Sequence, residues 1–282
     1  MKASLADRRF AWLVVIVLWA TAYLAQLHYD TWRRYAPAKI SVSYNEFIEP
    51  QPLTGDSARL ASFGQSEFLA NLYWLQLIQY YGGGTPNGQY RKLPELFSTI
   101  TDLAPRFQQA YVTGLLILPG EGHVSAAIAL GEKGQQALPN AWELPYYTGL
   151  VYHIYQKDFA AAADAFARAA ELPDAPPIAK LFAGIYFKEA NQRQTAYLIF
   201  QTIIATSDNE FVRDRAAKYL QHLDGLMLLE KAVADFHSRF NRYPTALAEL
   251  VSSRIIAELP KSPVAVGYGY DPTSGAVTEL AD

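Results

Sequence analysis

The sequence predicts a mainly α fold: one N-terminal transmembrane helix, a helical solenoid, and a small α+β tail with a hairpin. Three observations carry this. An uncharged run extends from Phe10 to Leu27. Small and aromatic residues recur every 34–35 positions between residues 92 and 206. Past residue 225, a helical stripe gives way to alternating Val266, Tyr268 and Tyr270. The expected division is residues 1–35 as anchor, 36–56 as linker, 57–225 as solenoid and 226–282 as tail.

Composition bounds the function. About half of the 282 residues are apolar (51%) and 18% are charged, enough to bury a core and to exclude global disorder. The net charge of −3 argues against a protein that neutralises nucleic-acid phosphates, so no nucleic-acid partner is expected. There is no cysteine, which excludes disulfides, iron–sulfur clusters, thiolate zinc sites and cysteine nucleophiles.

The Phe10–Leu27 run spans roughly 27 Å as a helix, close to a bilayer's hydrocarbon core. It lacks the polar stripe of a soluble helix, and Trp12, Trp19, Tyr23, Trp32 and Tyr35 lie in or beside it. Ala20-Thr21-Ala22 resembles a small-x-small signal-peptide cleavage site, so a cleaved leader competes with an anchor. The apolar run continues past that site, and an uncleaved anchor is the expectation. Lys2, Arg8 and Arg9 precede it, and Arg33, Arg34 and Lys39 follow further away. An inside N-terminus follows, with the bulk of the chain periplasmic on a bacterial inner membrane and residues 10–27 in lipid.

Residues 36–57 hold Pro37, Pro50, Pro52 and Gly55 and read as an extended connector, with a possible short strand over Ile40–Tyr44. One long helix is expected from Ser57 to Tyr81, stopped by Gly82-Gly83-Gly84. No Gly-Lys-Ser/Thr follows these glycines, so a helix stop is favoured over a phosphate loop.

The repeat comes next. Gly114, Gly149 and Gly184 stand 35 apart, and Pro105, Pro139 and Pro173 stand 34 apart. Ala127, Ala162 and Ala196 keep nearly the same step, and Phe166 and Phe200 are 34 apart. Such a period is the signature of antiparallel helix pairs stacked in a row. Gly149 and Ala162 are expected where paired helices approach, with Tyr152, Phe159, Phe166, Tyr186 and Phe200 filling space between units. Each proline stops a second helix, and Asp158 is a candidate N-cap.

The central unit, Asp158-Phe159-x-x-Ala162-x-x-x-Phe166-x-x-Ala169-x-x-Leu172-Pro173, resembles the tetratricopeptide repeat family. The Gly-to-Ala interval is twelve around Gly184, as in the family, but thirteen around Gly149, so the central unit carries one extra residue. The unit around Gly114 departs from the pattern at Gly131 and Gly134. The resemblance covers roughly residues 92–206 and implies a scaffold that binds a protein partner on a concave surface. By the family's pattern, Gln108, Tyr111, Glu143, Tyr146, His153 and Lys188 line that surface. For Tyr146, core packing is the competing reading.

In the tail, Leu226, Leu229, Val233, Phe236 and Phe240 form one stripe of a long helix, which Asn241 can end. A short helix capped by Thr245 and a hairpin turning at Asp271-Pro272-Thr273-Ser274-Gly275 follow. The run Arg242-Tyr243-Pro244, Leu259-Pro260-x-x-Pro263, Tyr268-x-Tyr270 is similar to the globular end of type II secretion major pseudopilins. It departs at Ser262-Pro263-Val264-Ala265, where pseudopilins carry Asp-Pro-Trp-Gly. This likeness implies a role in assembling a pilus, secretion or export system.

Motifs for chemistry are sparse. The histidines, His28, His123, His153, His222 and His237, show no HExxH spacing. No Gly-x-Ser-x-Gly occurs. Glu67 is conspicuous in its apolar helix, where a structural pairing or a turn to solvent is favoured over catalysis. No enzyme activity, cofactor or metal is expected. Two rival classes stay open: a structural accessory subunit of a transporter or electron-transfer complex, and an envelope enzyme with an unrecognised active site.

Overall fold

The computed structural model describes residues 19–28, 49–53, 55–85 and 88–280. The chain divides into two units, Met1–Glu49 and Pro50–Asp282. In the first unit, residues 19–28 are helical (α1). The remainder of the expected anchor and the 40–44 strand lie outside the described residues. Among the described residues, no helix is long and apolar enough to cross a membrane.

The second unit is mainly helical, with a two-stranded antiparallel sheet near its C-terminus. It opens with α2 (Gly55–Ala61) and α3 (Ser66–Gly82). The single helix expected over 57–81 is therefore two. The break comes from Phe63 and Gly64, both left-handed (φ 49° and 82°). Ser62 supports the turn: its hydroxyl donates to the Arg59 carbonyl (2.6 Å), and its own carbonyl accepts from the Gln65 N–H (2.8 Å). The triple glycine does end α3; the Gly83 N–H closes the last turn on the Gln79 carbonyl (2.9 Å).

Seven helices follow: α4 (Leu93–Leu103), α5 (Gln108–Ile117), α6 (Val124–Ala137), α7 (Glu143–Val151), α8 (Phe159–Glu171), α9 (Pro177–Glu189) and α10 (Arg193–Thr206). Each packs on its predecessor in sequence. α4, α6 and α8 each end two residues before a proline of the 34-residue series. Proline cannot supply the next helical N–H, so the stop is local chemistry.

The glycines mark the tightest contacts. A Cβ on Gly149 would lie 3.0 Å from the Phe166 ring, and one on Gly184 would lie 2.6 Å from the Phe200 ring. At Gly114 the clash would be with Leu130, at 2.2 Å. Ala127, Ala162 and Ala196 are wholly buried on the facing helices. A glycine and an alanine thus bring the helices together, and a large side chain from the second helix fills the glycine's gap. The departures at Gly131 and Gly134 have the same cause: a Cβ there would meet Thr148 Oγ1 at 2.4 Å and the Tyr111 ring at 2.8 Å.

The extra residue of the central unit is absorbed by a π-helical turn, Tyr152–Gln156, closed by left-handed Lys157 (φ 57°). Asp158 then caps α8, its Oδ1 accepting from the Ala161 N–H (2.9 Å).

α11 (Glu210–Phe240) runs unbroken through residues 225 and 226, where solenoid and tail were expected to divide. Asn209 caps its start, and left-handed Asn241 (φ 51°) ends it. Leu226, Leu229, Val233 and Phe236 bury against the rest of the unit, whereas Phe240 stays partly exposed. Mid-helix Gly225 has a packing reason: a Cβ there would sit 2.0 Å from the Tyr268 hydroxyl.

The hairpin pairs β1 (Tyr268–Asp271) with β2 (Ala276–Glu279). Its register sets Tyr268 opposite Glu279 and Tyr270 opposite Val277. Asp271 organises the turn, accepting from the Thr273 N–H (2.9 Å) and the Ser274 hydroxyl (2.6 Å). The short helix α12 (Ala248–Ser252) begins later than expected, and Thr245 is not its N-cap. Instead Thr245 donates through its N–H (2.7 Å) and hydroxyl (3.1 Å) to Glu249. Glu249 also holds Arg242, whose guanidinium lies over the Phe236 ring at 5.1 Å.

Replacing Gly149 or Gly184 with Leu should lower unfolding stability by about 1–3 kcal/mol or more, because an aromatic ring occupies the space. Urea titration of either variant checks this; a parental midpoint would mean that the helices do not approach as described.

Candidate functional site

The six positions expected to line a concave face come from the first helix of each successive pair, and they separate into three settings. Gln108 at the start of α5 and Glu143 at the start of α7 share one open cleft of about 550 Å³. Arg106, residues 137–142, Pro173 and Asp174 complete its walls. Both Gln108 and Glu143 are half-buried, so their polar ends reach the cleft. The cleft opens beside the loops that follow α4, α6 and α8, which line it through Arg106, residues 138–141, and Pro173 with Asp174.

Tyr146 and His153 belong to an aromatic column between helices. The Tyr146 ring lies 5.3 Å from Phe166, edge-on, and 6.1 Å from Phe182, stacked. Trp142 meets Tyr146 edge-on at 5.7 Å, linking the column to the cleft. His153 rides on the π-turn with its ring 4.6 Å from Tyr186. Burial, and then the charge of Lys157, depresses the His153 pKa below its usual value. Burial pushes the Tyr186 phenol up to about 12, with Glu189 adding to the shift. Tyr146 is therefore mostly a packing residue, separated from the cleft by Trp142.

Tyr111 and Lys188 do not line a surface. Tyr111 is wholly buried, its ring seated in the space left by Gly134. Lys188, expected to line the inner face, is 6% exposed. Its Nζ donates to Glu279 Oε2 (2.6 Å) and Glu189 Oε1 (2.8 Å). The 35-residue register put Lys188 on the right helix, but no periodicity could show that the hairpin covers it.

Sequence reading missed the cluster around Lys188. His222, wholly buried on α11, is held on both ring nitrogens: Nε2 lies 3.2 Å from Glu279 Oε1, and Nδ1 lies 2.9 Å from Ser262 Oγ. The Tyr268 ring stacks on the imidazole at 5.0 Å, and its hydroxyl donates to the His222 carbonyl (3.2 Å). Serine, histidine and carboxylate in a row resemble a nucleophile triad, but the surroundings argue against catalysis. The imidazole is sealed under Tyr268, and Ser262 Oγ is engaged with the Val264 backbone at 3.1 and 3.3 Å. The cluster joins the hairpin to α9 and α11. The one legible signal was the departure at Ser262-Pro263-Val264-Ala265.

Glu67 is exposed, at the edge of a second depression with Asn71 and Leu103–Phe107. Among the described residues, no group of three or more His, Asp or Glu side chains is placed to hold a metal ion. No protein-family model matches the chain, and no curated protein matches it.

The Glu279 carboxyl is penalised by burial, yet hydrogen bonds from His222 and Lys188 hold it down at about 2, against 4.5 unperturbed. Its contribution to stability is full above pH 4.5 and is lost as the pH falls towards 2. Glu279→Gln should flatten the dependence of stability on pH in that window. It should also cost about 2–3 kcal/mol at neutral pH, because Lys188 keeps only Glu189. Denaturant titrations at stepped pH check both; equal acid sensitivity in parent and variant would place the titrating carboxylate elsewhere.

Proposed function

We propose that the chain is a membrane-anchored, tetratricopeptide-like scaffold. It binds a protein partner in the assembly of a bacterial envelope machine such as a pilus, secretion or export system. The observation that carries this reading is the repeated pairing of Gly114 with Leu130, Gly149 with Phe166 and Gly184 with Phe200 along helices stacked in sequence order. A row of similar helix pairs exposes a repeating surface, which suits an extended partner better than a small substrate.

Within that surface, the cleft of Arg106, Gln108, Trp142, Glu143 and Asp174 supports partner binding best. With Asn140 it offers an aromatic body, one cation, two carboxylates and two amides. These suit a peptide segment that brings a hydrophobic side chain beside polar backbone groups. The bulk of the chain would face the periplasm, with residues 10–27 in the inner membrane. The tail's likeness to pseudopilins gives the envelope setting by analogy.

A structural accessory subunit of a transporter or electron-transfer complex is the second reading. It is favoured by large apolar residues left exposed on α3, among them Phe68, Leu72 and Leu75.

Trp142→Ala with Glu143→Lys should reduce partner recovery from detergent-solubilised membranes. Loss of an aromatic anchor commonly costs about 2 kcal/mol or more, and loss of a rim charge costs less. Melting should stay near the parental value, because both side chains are only half-buried. Unchanged recovery with a native melt would sink the cleft as the partner site and favour the accessory-subunit reading.

A further inference from the structure

Leu60, Phe63, Phe68, Leu72, Leu75 and Ile78 are all exposed large apolar residues on α2, the following turn and α3. Four of them recur along α3 at spacings of 4, 3 and 3, which puts them on one side of that helix. The opposite side, with Ala70, Leu77 and Tyr80, is buried. Over residues 55–82 the charges are Asp56, Arg59 and Glu67, and none lies between Phe68 and Gly82. Phe63 adds a second, independent observation. It is 93% exposed and left-handed (φ 49°), a conformation that a bulky L-residue rarely adopts. The Ser62 hydrogen bonds fix the turn that presents its ring outward.

We infer that this face lies in the headgroup–acyl boundary of the lipid bilayer, with Phe63 and Phe68 as its leading rings. The inference rests on the membrane-anchored reading. Residues 28–54 join the uncharged 10–27 run to α2 and span at most roughly 90 Å when fully extended, so α2 and α3 are the helices of this unit tethered nearest the anchor. Tethering raises the local concentration of bilayer around this face, so shallow insertion suffices. The chemistry also suits lipid over a protein partner. A protein contact gains specificity from charges and hydrogen-bonding groups among its apolar residues, whereas the α3 part of this face carries only Asn71 and Gln79, with Glu67 at its edge, and the α2 part adds the Asp56–Arg59 pair. With no Lys or Arg on α3, and with Arg59 of α2 paired with Asp56 at 3.9 Å, insertion should not depend on anionic lipid.

The chain has no cysteine, so single labels report cleanly. Phe68→Cys, Leu72→Cys and a control, Gln201→Cys on exposed α10, would each be labelled with an environment-sensitive fluorophore in the full chain reconstituted into neutral phosphatidylcholine vesicles. The expected result is a blue-shifted emission at 68 and 72, quenched by shallow nitroxide lipids and protected from aqueous iodide, with the control behaving oppositely. Replacing a third of the lipid with phosphatidylglycerol should leave this unchanged. Labels at 68 and 72 open to iodide, or shielded from both quenchers as under a second copy or another protein, would overturn the inference. Alkaline carbonate extraction of the same vesicles separates the two readings. A chain that resists extraction but keeps α3 in water loses only this inference, whereas a chain released by carbonate loses the anchor as well. Leu72→Glu with Leu75→Glu should abolish the blue shift at 68 without altering the melt, because both positions face away from the core.

Discussion

At Gly114, Gly149 and Gly184 the backbone has no side chain where a large group of the neighbouring helix must fit, and the arrangement of α5 to α10 follows from that. Phe166 and Phe200 are fully buried because these glycines leave their rings a place. Burying such a ring contributes about 1.5–3 kcal/mol. Once seated, Phe166 lies 5.3 Å from both Phe182 and Tyr186 of the following helix, so one close approach sets the position of the next pair. Tyr146 and His153 join this column through the same rings, which is why they serve packing first.

The one-residue excess in the central unit shows how strict the constraint is. The glycine and alanine contacts are kept on both sides of it, and the surplus is expelled into the Tyr152–Gln156 π-turn. Around Gly114 the interval is also thirteen, and there the slack lies in the turn from Pro119 to Gly122. Loops and turns yield because their backbone can meet water, whereas the packed faces cannot shift without opening a void.

The tail attaches by a different principle. Lys188, Glu279 and His222 form a buried polar cluster, and such clusters are costly unless every member is satisfied. Here the satisfaction depends on register: Glu279 reaches Lys188 with one carboxylate oxygen and His222 with the other. A slip of one residue in β2 would send Glu279 to the other face of the hairpin and leave Lys188 with Glu189 alone. The Arg242-Tyr243-Pro244 run acts beside it. Arg242 pairs with Glu249, the Tyr243 ring lies tilted against His237 at 4.4 Å, and the Pro244 carbonyl accepts from the Tyr270 hydroxyl at 2.8 Å. The hairpin is thereby tied to α9 and α11.

The proline-ended helix stops, the Asp158 cap, the 34–35-residue period and the hairpin turn were legible because each depends on neighbours in sequence. Proline withholds an N–H, glycine and asparagine accept a left-handed backbone, and Asp158 reaches a donor three residues on. The break at Phe63-Gly64 was missed although Ser62, Gly64, Gln65 and Ser66 mark it, because the apolar residues on either side read as one helix. The site was legible only in part. Gln108 and Glu143 lie in one cleft, which the stacking of three separate chain segments forms. Tyr111 and Lys188 were misassigned because burial is set by elements distant in sequence: Gly134 for the tyrosine, and β2, ninety-one residues away, for the lysine. By itself the sequence determined the local conformations and their repeat. Only the tertiary structure decided which polar groups meet, because an ion pair such as Lys188–Glu279 depends on distance in space, and hydrophobic periodicity does not encode that distance.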